Sequence, residues 1–123
     1  MSSKKILVIE DDPDTRLGLQ IRLKASGYTV SLAADAPSSV TVANRERPDL
    51  ILLDLGIPGG DGFLVLQRFK AHLNLGGVPI FVLTARDPRR NARQARELGA
   101  AEFFQKPVEN DELIGAIRRT LGE

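Results

Sequence analysis

The sequence contains no cysteine and a single histidine, His72. The absence of cysteine excludes disulfide bonds, thiolate zinc sites and cysteine nucleophiles. One histidine cannot supply a metal site built from a histidine cluster. We interpret His72 as an ordinary surface side chain, because it lies near the end of an amphipathic segment beside Leu73-Asn74. The formal net charge is only +1, which gives no basis for nucleic-acid binding by the whole molecule.

Long apolar stretches are also missing. Met1-Ser2-Ser3-Lys4-Lys5 leads directly into a short apolar run, so we expect no signal peptide and no membrane span. The corresponding prediction is a cytoplasmic protein. The chain of 123 residues is long enough for one domain with a sizeable core but not for two, and we predict a single domain over residues 1–123.

Five short apolar runs alternate with segments of helical periodicity. The pattern predicts strands at 6–9, 28–33, 50–53, 78–83 and 103–105, a first helix that starts at Pro13 and ends at Gly27, and further helices at 37–47, 63–73, 91–98 and 111–121. Strict alternation of this kind predicts an α/β fold, namely a flavodoxin-like, doubly wound, five-stranded parallel sheet of strand order 2-1-3-4-5 with helices on both faces. The mixed character of the second strand places it at an edge of the sheet.

Polar side chains follow four of these strands at the point where each strand ends. Glu10 and Asp11 follow the first strand, and Asp54 ends the third. Thr84 ends the fourth strand, and Lys106 follows the fifth. Because the carboxyl ends of parallel strands meet at one edge of a sheet, these side chains should converge on one cleft. Asp54 taken alone could simply begin a turn or cap a helix, but the convergence favours a functional site.

The predicted cleft combines groups that suit phosphoryl transfer. Carboxylates held close together repel one another, and a divalent cation relieves this repulsion. An all-oxygen site with open positions suits Mg²⁺. Lys106 adds a positive charge that can pair with a phosphoryl oxygen, and Thr84 adds a hydroxyl donor. Together these groups predict phosphoryl transfer onto Asp54. The role of Asp12 stays open, since it could be a helix cap, a further carboxylate of the site, or both.

Four segments resemble the receiver domain of bacterial two-component response regulators, and the resemblance covers essentially the whole chain. Residues 6–12, Ile-Leu-Val-Ile-Glu-Asp-Asp, are similar to the acidic metal-binding turn of that family. Residues 48–62, Pro-Asp-Leu-Ile-Leu-Leu-Asp-Leu-Gly-Ile-Pro-Gly-Gly-Asp-Gly, are similar to its phosphoacceptor segment. Residues 82–86 carry the switch hydroxyl, and residues 105–107 carry the lysine followed by proline.

The resemblance implies a mechanism and partners. Asp54 would accept a phosphoryl group from a histidine kinase or a histidine phosphotransfer protein, with Thr84 and Lys106 as the other catalytic side chains. Such a domain promotes its own phosphorylation and dephosphorylation but is not a turnover enzyme on a separate substrate. The implied Mg²⁺ ligands are the carboxylates of Glu10, Asp11 and Asp54 and the backbone carbonyl of Gly56.

Two features of the chain depart from the family pattern. The aromatic residue three positions before the lysine is Phe103, where the family often has tyrosine, and we expect this ring to pack inward because it has no hydroxyl to bond.

The fourth helix is rich in arginine, and a helical wheel places Arg89, Arg90, Arg93 and Arg96 on one side. We predict that a downstream protein partner docks on the face formed by helix 4, strand 5 and helix 5. The alternative, a basic face that is simply solvated and partly neutralised by Asp87 and Glu97, stays open. We also predict a cis Lys106-Pro107 bond, because a tight turn there would aim the lysine into the cleft.

The sequence leaves more than one class of function open. The favoured class is a signalling module that is controlled by phosphorylation. The alternative is an interaction domain that keeps the fold but works without phosphorylation, and the chain could also be a receiver fragment of a hybrid kinase or multidomain regulator. Direct DNA binding is not expected, since no residues after Glu123 could form an effector domain.

Overall fold

A computed structural model of the chain describes residues 3–59 and 61–123. Met1 and Ser2 of the N-terminal segment and Gly60 of the segment 48–62 lie outside the described residues. The strands are β1 (Lys5–Ile9), β2 (Thr29–Ala33), β3 (Leu50–Leu53), β4 (Ile80–Thr84) and β5 (Glu102–Gln105), and the helices are α1 (Pro13–Ala25), α2 (Ala36–Glu46), α3 (Gly62–Ala71), α4 (Pro88–Glu97) and α5 (Asn110–Leu121).

The strands form one parallel sheet in the order β2-β1-β3-β4-β5. The predicted fold class and strand order are therefore confirmed, and β2 lies at an edge. The register places Ile9 opposite Leu53, and Thr84 opposite Gln105. Since each of these residues ends its strand or nearly does, the loops that follow β1, β3, β4 and β5 leave the sheet at the same edge.

The core has one layer on each face of the sheet. Alternate residues of the central strands point to opposite faces, so every position of β3 and β4 is buried. One layer packs against α2, α3 and α4 and contains Ile9, Leu53, Leu66, Phe69 and Ala95. The other layer packs against α1 and α5 and contains Val8, Leu19, Leu52, Leu113 and Ile117.

Each of the helices α1 to α5 begins with an acidic N-cap residue. The carboxylate accepts a hydrogen bond from a backbone N–H of the first turn, which satisfies a donor that the helix itself leaves unpaired. The negative charge also interacts favourably with the positive end of the helix dipole. The capping residues are Asp12, Asp35, Asp61, Asp87 and Glu109.

Several boundaries differ from the prediction, and three of the differences have a clear physical cause. Helix α4 begins at Pro88 rather than at Asn91, because Asp87 caps it and proline fits the first helical position. Helix α3 ends at Ala71 because His72 adopts an extended conformation, and Leu73 is fully exposed. Strand β4 begins at Ile80, since the proline at position 79 has no N–H to donate to the sheet.

His72 lies at the turn after α3. Its ring Nδ1 accepts a hydrogen bond from the backbone N–H of Asn74 at 3.1 Å. The side chain therefore supports a local turn. Among residues 3–59 and 61–123, no helix has both the length and the apolar character that crossing a bilayer requires.

Candidate functional site

The loops at one edge of the sheet are joined by backbone hydrogen bonds. The N–H of Asp54 donates to the carbonyl of Ile9 at 3.0 Å, and the N–H of Lys106 donates to the carbonyl of Thr84 at 2.8 Å. The first bond ties the end of β3 to β1, and the second ties the end of β5 to β4. The side chains that follow these strands are therefore held by the sheet itself and not by loop packing alone.

The carboxylates of Glu10, Asp11 and Asp54 form a cluster. One oxygen from each lies within 4.8 Å of the others. The Glu10 side chain is only 3% exposed and that of Asp54 13% exposed, whereas Asp11 is exposed. The cluster thus extends from the buried end of β1 outward to solvent.

Lys106 places its ammonium group between the two buried members of this cluster. Its Nζ donates a hydrogen bond to Oδ2 of Asp54 at 3.1 Å and another to Oε1 of Glu10. The lysine side chain is 22% exposed. The bond from Lys106 to Pro107 is cis, as predicted.

The protonation equilibria of this group follow from burial and the lysine charge. Burial raises the pKa of the Glu10 carboxyl above its ordinary value, and the hydrogen bond from Lys106 offsets this only in part. Burial also acts to raise the pKa of Asp54, but the Gly56 N–H and the Lys106 ammonium outweigh it, so that pKa lies below its ordinary value. Burial acts to lower the pKa of Lys106, but the bonds to Glu10 and Asp54 outweigh it, and the pKa is raised. Asp54 and Lys106 are therefore both charged at neutral pH.

The acidic turn after β1 is held by two residues of the α1 region. Asp12 accepts a hydrogen bond from the Thr15 N–H at 3.0 Å, so it is the N-cap of α1. The Nη1 of Arg16 donates to the carbonyls of Glu10 at 2.8 Å and Asp11 at 3.3 Å. These contacts fix the backbone of Glu10 and Asp11, whose side chains both belong to the carboxylate cluster.

The loop after β3 approaches α3 closely. A Cβ atom added to Gly62 would lie 2.4 Å from Cα of Leu55, so only glycine permits this approach. Next to Leu55, the Gly56 N–H donates to Oδ1 of Asp54 at 3.0 Å. One Asp54 oxygen is thus held by Gly56 and the other by Lys106.

Thr84 is buried at the end of β4, and its hydroxyl oxygen accepts a hydrogen bond from the Arg86 N–H at 3.3 Å. Phe103, on the neighbouring strand, is half-buried and packs against the core layer on the α2, α3 and α4 face. This position agrees with the inward orientation that we expected for a ring without a hydroxyl.

The donor atoms fit a hard divalent cation. Three carboxylates supply oxygen ligands only, one of them exposed, and Mg²⁺ prefers such a site because it retains several waters. The chain contains no cysteine and a single histidine, so the softer donors that favour zinc or copper are not available in the cluster.

Fold and site together define a class of protein. A family model described as the response regulator receiver domain matches residues 6–118. The chain belongs to this family of signalling modules of two-component systems.

Individual relatives support the same conclusion. The chain is 38% identical over 117 residues to the response regulator PleD of Caulobacter vibrioides, covering 94% of this chain but 26% of PleD. It is 33% identical over 121 residues to sporulation initiation phosphotransferase F of Bacillus subtilis, covering 98% of this chain and 96% of that protein. Among solved structures, it resembles the receiver domain of the sensor histidine kinase PA1611 from Pseudomonas aeruginosa, with TM-score 0.89, 32% identity, and coverage of 99% of this chain and 100% of that one. That structure has a magnesium ion coordinated in its active-site cleft.

Two further residues at this site were not predicted from the sequence. Arg16 holds the carbonyls of the acidic turn, and Arg86 donates to the carbonyl of Leu55 at 3.2 Å. Neither has a sequence signal, because their partners are backbone carbonyls, which every residue has. The members of the carboxylate cluster, Lys106 and Thr84 were predictable, since all of them lie at or just after strand ends.

Proposed function

We propose that the chain is a phosphoacceptor module in which Asp54 receives a phosphoryl group from a histidine kinase or a histidine phosphotransfer protein. The observation that carries this proposal is the setting of Asp54, whose two oxygens are held separately by Lys106 and by the Gly56 N–H. A carboxylate fixed in this way, ionised and facing a cleft, is prepared to act as a nucleophile.

Each neighbouring side chain has a role in the proposal. Bound Mg²⁺ would neutralise charge on the carboxylates and the incoming phosphoryl oxygens. The residues that would hold it are Glu10, Asp11 and Asp54, together with the Gly56 carbonyl. Lys106 would pair with a phosphoryl oxygen, and the Thr84 hydroxyl would donate to another. The magnesium in the PA1611 receiver domain supports the metal assignment.

A direct test uses a small phosphodonor, so that no protein partner is needed. The purified chain is incubated with acetyl phosphate and radiolabelled phosphoryl uptake is measured, with Mg²⁺ present or replaced by a chelator. We expect uptake of at most one phosphoryl group per chain, dependent on the metal. Equal uptake with the chelator would refute the proposed metal dependence, and no uptake in Mg²⁺ would refute the function.

The output surface proposed here is the face of α4, β5 and α5. On α4, the four residues Arg89, Arg90, Arg93 and Arg96, which we call the α4 arginine face, are all exposed, while Ala95 is fully buried. Glu97 pairs with Arg93 at 2.9 Å, and the Asp87 carboxylate caps the helix by accepting from the Arg89 N–H. Acidic neighbours therefore offset only part of the charge. An acidic surface on a partner protein would be complementary to the remaining positive charge of the α4 arginine face.

Three further predictions complete the proposal. Residues 1–123 form one receiver domain, the protein is cytoplasmic, and the domain does not bind DNA directly. The chain spans about a quarter of PleD and about half of the DNA-binding regulators that it matches. Output activities of those longer proteins are therefore not transferred to this chain.

A further inference from the structure

Arg86 contacts both ends of the candidate site. It lies two residues after Thr84, and its backbone N–H donates to the Thr84 hydroxyl oxygen at 3.3 Å. Its side chain reaches across to the loop after β3, where Nη2 donates to the Leu55 carbonyl at 3.2 Å. One residue thus connects the end of β4 with the segment that follows Asp54.

The Leu55 carbonyl belongs to the same peptide group as the Gly56 N–H. In a planar trans peptide the C=O and N–H bonds point in opposite directions, so fixing one fixes the other. The Gly56 N–H donates to Oδ1 of Asp54 at 3.0 Å. The guanidinium of Arg86 and the carboxylate of Asp54 therefore bind the two ends of one peptide dipole. A cation at the carbonyl also polarises the group and strengthens its N–H as a donor.

The position of the guanidinium is itself determined by packing. Its Cζ lies 5.7 Å from the centroid of the Phe63 ring, within the range of a cation–π contact. Phe63 is mostly buried in the first turn of α3, and Gly62 brings that turn against Leu55. The ring and the Leu55 carbonyl thus hold the guanidinium in one position, although the arginine is otherwise exposed.

We infer that Arg86 is a positioning residue that orients the Leu55–Gly56 peptide, and through it the Asp54 carboxylate, and couples this peptide to Thr84. The inference rests on the proposed function, in which Asp54 is the phosphoacceptor. When the Thr84 hydroxyl turns toward a phosphoryl group, the Arg86 N–H loses its acceptor. The loop that carries Arg86 is then released at one end while its side chain remains on the Leu55 carbonyl.

The test compares Arg86→Met with the wild-type chain. Methionine keeps the apolar stem but removes the donor, and the site is exposed, so the fold should be retained. Arg68→Met is the matched control, because Arg68 is an exposed arginine on α3 with no role in the site. Two quantities are measured, namely the amide proton of Gly56 by NMR in metal-free protein and the rate of Asp54 phosphorylation by acetyl phosphate in Mg²⁺.

For Arg86→Met we expect the Gly56 amide proton to shift upfield. We also expect it to exchange with solvent about three- to tenfold faster, because its hydrogen bond to Asp54 is weakened. We expect phosphorylation to slow by a similar factor. Arg68→Met should match the wild type in both measurements. Arg86→Lys keeps the charge but lacks the planar fork, so it should fall between the wild type and Arg86→Met.

An unchanged Gly56 amide in Arg86→Met would overturn the inference, as would a change of equal size in Arg68→Met. The amide measurement uses unphosphorylated protein, so it is independent of whether Asp54 accepts phosphate. If the wild type took up no phosphoryl group, the proposed function would fail, while the response of the Gly56 amide would still decide the role of Arg86.

Discussion

The ammonium group of Lys106 lies 3.1 Å from Oδ2 of Asp54, although the two residues are 52 positions apart in the sequence. The same ammonium donates to Glu10, whose side chain is almost completely buried. Lys106 therefore supplies positive charge to both carboxylates, and its bond to Asp54 favours the ionised form of that side chain. A metal ion at this cluster would share those carboxylates with the lysine, so the two cations are expected to act on the stability of the domain in the same direction.

The first prediction concerns Lys106→Met. Loss of the cation leaves Glu10 and Asp54 facing each other with little solvent, so the metal-free domain should lose about 2 kcal/mol of unfolding free energy at pH 7. Stabilisation by Mg²⁺ should then be larger than in the wild type, because the metal relieves more repulsion. Urea unfolding with and without Mg²⁺ measures both effects. Lys24→Met, an exposed change on α1, is the control. Equal unfolding free energies for Lys106→Met and Lys24→Met would contradict the role assigned to the Lys106 charge.

The second prediction concerns the metal. Asp11 is the exposed member of the carboxylate cluster, and Asp11→Asn removes one negative charge without disturbing the core. We expect weaker Mg²⁺ binding and a smaller rise of the melting temperature in Mg²⁺, and slower phosphorylation by a small donor. Asp14→Asn removes an equal charge from the first turn of α1, outside the cluster, and should leave the Mg²⁺ affinity nearly unchanged. Equal losses in both variants would indicate a general charge effect and not a site.

The third prediction concerns pH. The buried Tyr28 hydroxyl donates to Glu123 at 2.7 Å, and burial followed by this bond raises the pKa of Tyr28 from 10.0 to about 12. A raised pKa means that the folded state favours the neutral phenol. The contribution of Tyr28 to stability is therefore full below pH 10 and is lost as the pH rises toward 12.

Tyr28→Phe isolates this effect from the titration of lysines in the same range. The difference in unfolding free energy between the wild type and Tyr28→Phe should be about 1 kcal/mol at pH 8. Because a rise of the pKa from 10.0 to about 12 corresponds to about 2 to 3 kcal/mol, the difference should decline above pH 10 and pass through zero before pH 12. Denaturant titrations at several pH values give the curve. A difference that stays constant from pH 8 to pH 12 would show that folding does not raise the pKa of the Tyr28 phenol.

The fourth prediction concerns the α4 arginine face. Reversal of Arg90 and Arg93 to Glu should weaken binding of the output partner and reduce the steep salt dependence of its association rate. Phosphorylation of Asp54 by a small donor should be unaffected. The matched control is reversal of Arg45 and Arg47, which are exposed at the end of α2. Partner binding that responds neither to salt nor to the α4 reversal would mean that this face is simply solvated.

The order of the strands and the convergence of the site were predictable because both follow from simple rules. The buried strand from Leu50 to Leu53 is a continuous apolar run between turn residues, and the position of Asp54 after it follows from parallel-sheet geometry. The start of α4 was predicted three residues late. The signal was present, since Asp87-Pro88 repeats the cap and first-turn proline of Asp12-Pro13.

Other features could not be predicted because their partners have no sequence pattern. Arg16 and Arg86 bind backbone carbonyls, and the choice among carbonyls depends on the folded geometry. The bond from Tyr28 to Glu123 joins residues 95 positions apart. In helix α1, Leu17 and Ile21 have the same spacing as Leu19 and Leu23, yet only the latter pair is buried. Periodicity identifies such faces, but packing decides which of them is covered.

The central claim is that Asp54 is the phosphoacceptor, and the most direct measurement is the location of the phosphoryl group. The chain is phosphorylated with acetyl phosphate in Mg²⁺, the acyl phosphate is reduced with borohydride, and the resulting homoserine is located by peptide mass spectrometry. We predict conversion at position 54 alone in the wild type and none in Asp54→Asn. Conversion at another aspartate in the wild type, or undiminished phosphoryl uptake by Asp54→Asn, would contradict the account.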